Sequence, residues 1–339
     1  MIKFVGDINL TDWDFNFGFG IGSRIAEGFD PFSHLSRNTD DVWIGNFEGV
    51  ASDVTNKKGM AAQVFRVSPI ALTKIHHFDI YGFANNHAMQ HGEEAYLQTW
   101  EALKAQGSKV FGKNDERTIC FKHQGMNVSL TGFCLRIDEF TNAPLYWYNP
   151  EYKEIEKEIN SIPKDTFKVL YIHWGNEYIN RPSSQQKKFA HWLIDVGFDL
   201  IIGMHPHVMQ GYEDYKGKRI YYSLGNFVFD MPSELCKIGA VVGVDLSNDT
   251  PVYSNDYVRI DSTCSPIQVD KETVPEKLRF KYLNEILKKE DNSEAYHKEI
   301  RTGYKRYNKE NRKDILKKGV AHPKAFFELI KDFIKRRIL

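Results

Sequence analysis

Short apolar runs that stop abruptly at glycine or at a polar residue recur through the first 230 residues, and segments of helical period separate them. Runs at 2–5, 41–44, 78–83, 109–111, 118–121, 126–133, 167–172, 200–202 and 220–224 read as strands, being short, apolar and mostly followed by turn formers or polar residues. Segments 68–77, 92–105, 151–159 and 184–196 read as helices, with a further short helix at 31–38. Residues 11–28 and 51–62 read as loops. Strands at 240–246, 257–262 and 267–270 close this part, and from 275 the chain is helical and highly charged. The alternation of helices with apolar strands predicts an α/β fold whose strands are buried on both faces. The change of pattern divides the chain into a core unit, 1–272, and a helical C-terminal extension, 273–339.

In such folds ligands bind beyond the carboxyl ends of the strands, and the polar groups of this chain fall there repeatedly. Asp7, Glu48, Asn86 with His87, His173, and His205 with His207 each follow an apolar run closely. His205 and His207 can face one point, because alternate side chains of extended backbone share a face. Singly, each has an ordinary reading. Asp7 is a helix cap, Glu48 a solvated turn acid, Asn86-His87 a turn, and His173 a core histidine bonded to backbone. Jointly they form an oxygen and nitrogen set suited to Mn²⁺, Fe²⁺ or Zn²⁺, without the thiolates of a structural zinc site. They exceed the needs of one tetrahedral ion and suit two ions bridged by a carboxylate. Such a pair clamps an in-line displacement at phosphorus and activates a water. His87, next to Asn86, is placed to protonate a leaving oxygen. The remaining histidines lie on helices or loops and read as surface or core residues.

Charge changes this picture little. Lys+Arg and Asp+Glu both number 45, so bulk charge gives no pull toward nucleic acid. Cys120, Cys134, Cys236 and Cys264 are widely spaced with no CxxC pair, and read as buried free thiols of a reducing compartment. The N-terminal stretch reads as a strand rather than a signal peptide, and no apolar run approaches the roughly 20 residues of a membrane span. A cytoplasmic location is the expectation.

Several motifs then carry a resemblance. GD-x-x-L (Gly6, Asp7, Leu10), N-x-E-G (Asn46, Glu48, Gly49), ANNHA (84–88), HWG-x-EY (173–178), G-x-HPHV-x-Q (203–210) and YSLGNFVFD (222–230) occur in this order. The set resembles the bacterial capsule-synthesis CapA family, the poly-γ-glutamate capsule biosynthesis proteins, related to calcineurin-like metallophosphoesterases. The resemblance covers about residues 1–235. It implies a four-layer α/β/β/α sandwich of the metallophosphoesterase type with two divalent metal ions. On this basis Asp7 and His207 serve the first ion, and Asn86, His173 and His205 the second. Glu48 bridges them where the wider superfamily has aspartate, and His87 is the general acid. Asn9 stands where the superfamily's Asp-x-His has its histidine. As a weaker ligand it leaves the first ion weakly held or filled only with substrate. Arg66, Arg136 and Arg181 are the candidates for holding an anionic substrate, and Asn226 for reaching the site.

The implied activity is a metal-dependent phosphoesterase in capsule or surface-polymer biosynthesis, acting on an anionic or phosphorylated small molecule or polymer. The alternatives are a non-catalytic polymer-binding accessory protein and a metal-dependent γ-glutamyl amide hydrolase or transferase. Residues 312–339 carry nine Lys or Arg against three Asp or Glu, and Phe326, Phe327, Ile330, Phe333, Ile334 and Ile338 share a helical face. That face packs on the core, or segment 324–339 lies on an anionic membrane surface.

Overall fold

The computed structural model describes residues 1–13, 16–73, 75–289 and 293–338, with side chains in the last helix described as far as 331. The strands are β1 (Ile2–Ile8), β2 (Val42–Phe47), β3 (Val50–Ala51), β4 (Arg66–Val67), β5 (Ile80–Gly82), β6 (Lys109–Phe111), β7 (Thr118–His123) and β8 (Met126–Cys134). They continue with β9 (Thr166–His173), β10 (Leu200–Met204), β11 (Tyr212–Tyr215), β12 (Lys218–Tyr221), β13 (Asn226–Val228), β14 (Ile238–Asp245), β15 (Val252–Ile260) and β16 (Pro266–Val269). The α-helices are α1 (Ile21–Ala26), α2 (Pro69–Leu72), α3 (Glu93–Ala105), α4 (Tyr152–Ser161), α5 (Ser184–Asp195), α6 (Phe280–Leu287), α7 (Ser293–Ala321) and α8 (Pro323–Ile338).

Two sheets lie face to face. The first runs β16-β15-β14-β1-β2-β5-β6, with β13 also paired to β1, and the second β11-β12-β10-β9-β8-β7. Strands β1, β2, β5 and β6 are parallel to one another, as are β8, β9, β10 and β12. Ile2, Phe4, Ile44 and Ile80 of the first sheet share one core with Val128, Val169, Leu200 and Ile202 of the second. The outer face of the first sheet packs Val5, Phe47 and Tyr81 under Ile25, Leu72, Tyr96 and Trp100 of α1, α2 and α3. The outer face of the second packs Leu170, Ile172 and Ile201 under Ile155, Ile159, Leu193 and Ile194 of α4 and α5. The order of layers is therefore α/β/β/α. Burial on both faces is why β10 is apolar throughout rather than alternating.

Local chemistry sets the helix ends. Glu151 and Glu154 close a reciprocal capping box on α4, and the Ser183 hydroxyl accepts from the Gln186 N–H on α5. Three local expectations change. Residues 21–26 form α1 instead of loop, because the Asp12 carboxylate gathers the Gly18 and Ser23 N–H groups at its start. Segment 31–38 makes turns instead of a helix, with the Asp30 side chain taking the Phe32 N–H. The helix expected over 68–77 is the single turn α2; of that segment, Lys74 lies outside the described residues. Cys120 is exposed on β7, at the edge of its sheet, whereas Cys134, Cys236 and Cys264 are buried thiols.

Helices α6 and α7 return to the core. Phe280 and Leu283 of α6 join the inter-sheet core. On α7, the Tyr307 ring stacks on Tyr178 at 4.1 Å and 5°. Gly303 sits where a Cβ would lie 2.7 Å from the Tyr178 carbonyl oxygen, so only glycine lets the helix approach this closely. No helix among the described residues is long and apolar enough to cross a membrane. The shared face expected for the last helix includes Phe333, Ile334 and Ile338, whose side chains lie outside the described part.

Candidate metal centre

Carboxyl ends of strands from both sheets meet at one buried cluster. Asp7 closes β1 and Glu48 follows β2, while Asn86 and His87 follow β5. From the second sheet His173 ends β9, and His205 and His207 follow β10. Asp7, Glu48, His173, His205 and His207 are all buried. The register aids this convergence: Asp7 lies opposite Asn46 on β2 and Asn226 on β13.

Glu48 is the centre of the cluster. Its Oε1 lies 3.8 Å from His173 Nε2, 3.9 Å from His207 Nε2 and 3.9 Å from His87 Nε2. Yet neither carboxylate oxygen has a hydrogen-bond partner, and His205 Nε2 has none either. Asp7 is better held, with Oδ1 accepting from Asn46 Nδ2 at 2.8 Å and Oδ2 from the His205 N–H at 3.1 Å. His173 Nδ1 is 3.9 Å from Asp7 Oδ1, and His207 Nδ1 is 3.6 Å from Asp7 Oδ2. Asn86 Oδ1 lies 2.8 Å from His173 Nε2, and His205 Nδ1 lies 3.1 Å from the same nitrogen.

This donor set fits a cation. Burying a carboxylate with both oxygens unpaired is costly unless a positive charge faces it. The potential ligand atoms of Glu48, His205 and His207 lie within 4.8 Å of one another, as do those of Asp7, Glu48 and His173. Glu48 is common to both groups. Supporting bonds also orient the imidazoles as metal ligands require. Asn226 Nδ2 donates to the Cys236 carbonyl, which turns Asn226 Oδ1 toward His207 Nδ1 at 3.0 Å. That places the proton on Nδ1 and leaves Nε2 aimed at Glu48.

The charges shift accordingly. Burial, then the neighbouring carboxylates of Asp7 and Glu177, pushes the Glu48 carboxyl well above its ordinary range. Burial also raises Asp7, opposed chiefly by His207. His173 and His205 are held well below the usual histidine value, first by burial and then by neighbouring imidazoles and the Arg136 guanidinium. Neutral imidazole is the form that binds metal.

His87 sits at the rim, half-buried. Its ring stacks on Phe65 at 4.1 Å and 8°, and its Nδ1 faces Gln90 Oε1 at 2.8 Å. Burial lowers its pKa to about 4. Asn9 is placed differently from the other expected ligands. Its Oδ1 accepts from both the Thr11 N–H and the Thr11 hydroxyl, at 2.9 and 2.7 Å, and its Nδ2 is buried without a partner. The oxygen expected to bind metal is thus used in a local turn. Arg66 donates to the Ala62 and Ser52 carbonyls, and Arg181 to Glu299 of α7 while lying over Tyr296. Arg136, donating to the Gly175 carbonyl, is the arginine whose charge reaches His173 and His205.

Some supporting residues stood inside the quoted motifs without being singled out. Asn46 bridges Asp7, Asn85 and His173, and Asn85 Oδ1 takes the His87 N–H. Glu177 accepts from the Tyr304 hydroxyl of α7 at 2.8 Å. Phe65 and Gln90 carried no sequence signal, because their roles depend on the folded surroundings of His87.

The model of the bacterial capsule synthesis protein PGA_cap family matches residues 2–231. The chain is 31% identical over 247 residues to the capsule biosynthesis protein CapA of Bacillus anthracis, covering 64% of this chain and 58% of that protein. It is 28% identical over 251 residues to the PGA biosynthesis protein CapA of Bacillus subtilis, covering 68% and 64%. The chain therefore spans about three-fifths of the length of these relatives. Among solved structures it is similar to a phosphatase from Mycoplasma pneumoniae, with a TM-score of 0.40, 12% identity, and coverage of 80% of this chain and 94% of that one. A family match over most of the core, with the matched segment holding every residue of the buried cluster, places this chain in the bacterial capsule synthesis protein PGA_cap family.

Proposed function

We propose that this protein is a metal-dependent phosphoesterase acting in capsule or surface-polymer biosynthesis. The observation that carries the reading is Glu48: a fully buried carboxyl that no N–H or hydroxyl group reaches, beside a second buried carboxyl, Asp7, and ringed by imidazole nitrogens at 3.8–3.9 Å. As the resemblance implies, Asp7, Glu48 and His207 would hold one ion, and Glu48, Asn86, His173 and His205 the other. The two groups of ligand atoms lying within 4.8 Å of one another, Glu48 with His205 and His207 and Asp7 with Glu48 and His173, share Glu48 but divide the other residues differently. When bound, the ions supply Lewis-acid charge to the phosphoryl oxygens and lower the pKa of a coordinated water. The protein's own part is to fix these donors and handle the proton. His87 is kept in place by the Phe65 ring and by Gln90, with Nε2 on the Glu48 side. Burial keeps it neutral; the negative charge of an arriving phosphoester would raise its basicity so that Nε2 takes up a proton from solvent, and that proton would pass to the leaving oxygen.

The test is metal content together with turnover of p-nitrophenyl phosphate and bis-p-nitrophenyl phosphate across Mn²⁺, Fe²⁺ and Zn²⁺. On an alkyl phosphoester, whose alkoxide leaving group needs a proton, His87→Gln should retain metal and lose about 10²–10⁴-fold in turnover; full activity of that variant on the alkyl ester ends the general-acid role. A metal-loaded wild-type protein inert toward phosphoesters and active on γ-glutamyl amides would replace phosphorus by carbonyl chemistry. One observation favours a second reading, a non-catalytic accessory protein. The Asn9 oxygen is engaged by Thr11, which leaves the ion beside His207 short of a donor. Polymer binding without metal or turnover would support that reading.

A further inference from the structure

We propose that the outward face of α7, continued by the first turns of α8, is a docking surface for an anionic lipid membrane. The inward face of α7 is occupied: Gly303 and Tyr307 are buried against Tyr178, and Lys318 pairs with Asp314 at 2.9 Å and with Asp230 at 3.5 Å. At about 100° per residue, Lys305, Lys309, Arg312, Lys313, Leu316 and Val320 fall within one arc of about 100° on the opposite side. The four basic residues there are exposed. Glu310 and Asp314 fall outside this arc, toward the core side, where both are only half-exposed. This stretch of α7 therefore presents one sign of charge to solvent.

The C-terminal end of this face, and the first turns of α8 that follow it, carry apolar groups in water. Val320 is 85% exposed and Leu316 65%, and on α8 Phe327 is 65% and Ile330 40% exposed. Phe326 of α8 lies against Gly319 of α7, and His322, at the junction of the two helices, stacks on Phe19. Glu328, the acid near Phe327, lies 3.5 Å from Lys331. A soluble polyanion would need only the charges. Large aliphatic and aromatic side chains set at the end of a basic stripe also need an apolar host, which the headgroup–acyl boundary of an anionic membrane supplies. This places the surface on α7 as much as in segment 324–339, and it stands independently of the phosphoesterase reading.

The experiment is co-sedimentation of the full chain with vesicles of pure phosphatidylcholine and of 7:3 phosphatidylcholine to phosphatidylglycerol. Binding is expected to the anionic vesicles alone, with release at 0.5 M NaCl. Lys309→Glu with Lys313→Glu should lower the partition coefficient at least tenfold, and so should the neutral pair Val320→Ser with Phe327→Ser. These positions are exposed, and unchanged melting temperatures would show that the variants fold. Failure to bind anionic vesicles overturns the proposal. So does loss through the charge variant alone, which marks a soluble polyanion site. A dimer in light scattering that the Val320→Ser, Phe327→Ser variant dissolves would overturn it too, assigning the face to a second copy.

Discussion

Replacing Glu48 by glutamine should make the metal-free protein more stable while removing most of its response to metal. Glu48 is fully buried, no N–H or hydroxyl donor reaches either oxygen, and Asp7 and Glu177 add negative charge nearby. Glutamine keeps the shape without the charge. An unpaired buried amide costs about 1–3 kcal/mol, against several kcal/mol for an unpaired buried carboxylate. We take the difference as about 2 kcal/mol. For 339 residues, an unfolding entropy of about 2.1 cal/mol/K per residue makes 1 kcal/mol worth about 1.4 °C, so the metal-free variant should melt about 3 °C higher. The sign depends on pH. A carboxyl whose folded pKa is raised destabilises the fold as pH climbs above the unfolded value near 4.3. The advantage should be present at pH 8 and vanish at pH 4. Metal reverses the ranking. At 100-fold excess over Kd it stabilises the wild type by about 2.7 kcal/mol, or about 4 °C, whereas Glu48→Gln should gain less than about 1 °C. Calorimetry of chelator-treated protein at both pH values, with and without Mn²⁺ or Zn²⁺, reads all of this. A metal-free variant melting at or below wild type at pH 8, or one keeping the full metal-induced gain, refutes the argument.

Two further outcomes follow from other parts of the fold. His77 is buried between Phe32 and Trp43, and burial lowers its pKa to about 4, below the ordinary 6.5. The unfolded chain takes up the proton first, so stability falls as pH drops from about 6.5 to 4, by at most about 3 kcal/mol; His77→Phe should flatten this limb in urea titrations, and an unchanged limb argues against it. Tyr307→Ala should cost about 3–5 kcal/mol and weaken metal binding, because Tyr178, on which Tyr307 stacks, lies 6.3 Å from His207. Tyr307→Phe, which keeps the stacked ring, should restore both in melting and metal-titration measurements.

The site was legible to the extent that its chemistry is local. Asp7, Glu48, His173 and His205 each sit within a few residues of the end of a buried apolar strand, and a strand's pattern fixes which end a ligand occupies. The same pattern called for strands covered on both faces, as β10 is, whereas the four-layer order came from the family resemblance. What the pattern missed is set by side-chain bonding that hydrophobic periodicity does not register. Helix α1 depends on one carboxylate, Asp12, gathering N–H groups from 18 and 23. The use of the Asn9 oxygen in a turn depends on the N–H and hydroxyl of Thr11, two residues away, and the sequence fits that bonding as well as ligation. Among the three arginines that nearness in sequence favoured, Arg66 bonds to the Ala62 and Ser52 carbonyls and Arg181 to Glu299, and Arg136 is the one whose field reaches His173 and His205.

The backbone around the cluster explains how such a site is held ready. Phe65, Tyr178, His205 and His207 have φ of 56°, 63°, 96° and 58°, a region that costs residues with side chains about 1–3 kcal/mol each. Strain of that size persists only where neighbours leave the chain no alternative, and each of these residues has such a neighbour. The Phe65 N–H donates to the Asp12 carbonyl, and the His205 N–H to the Asp7 carboxylate. The Tyr178 N–H donates to the Pro206 carbonyl, between the two histidines. His207 is fixed through Asn226 on β13. Tyr178 in turn is held by α7, through the Tyr307 ring and through Arg306, which donates to its carbonyl. The histidine loop is thus supported from outside the segment matched to the family, and the C-terminal extension is part of what keeps the geometry of the buried cluster in place.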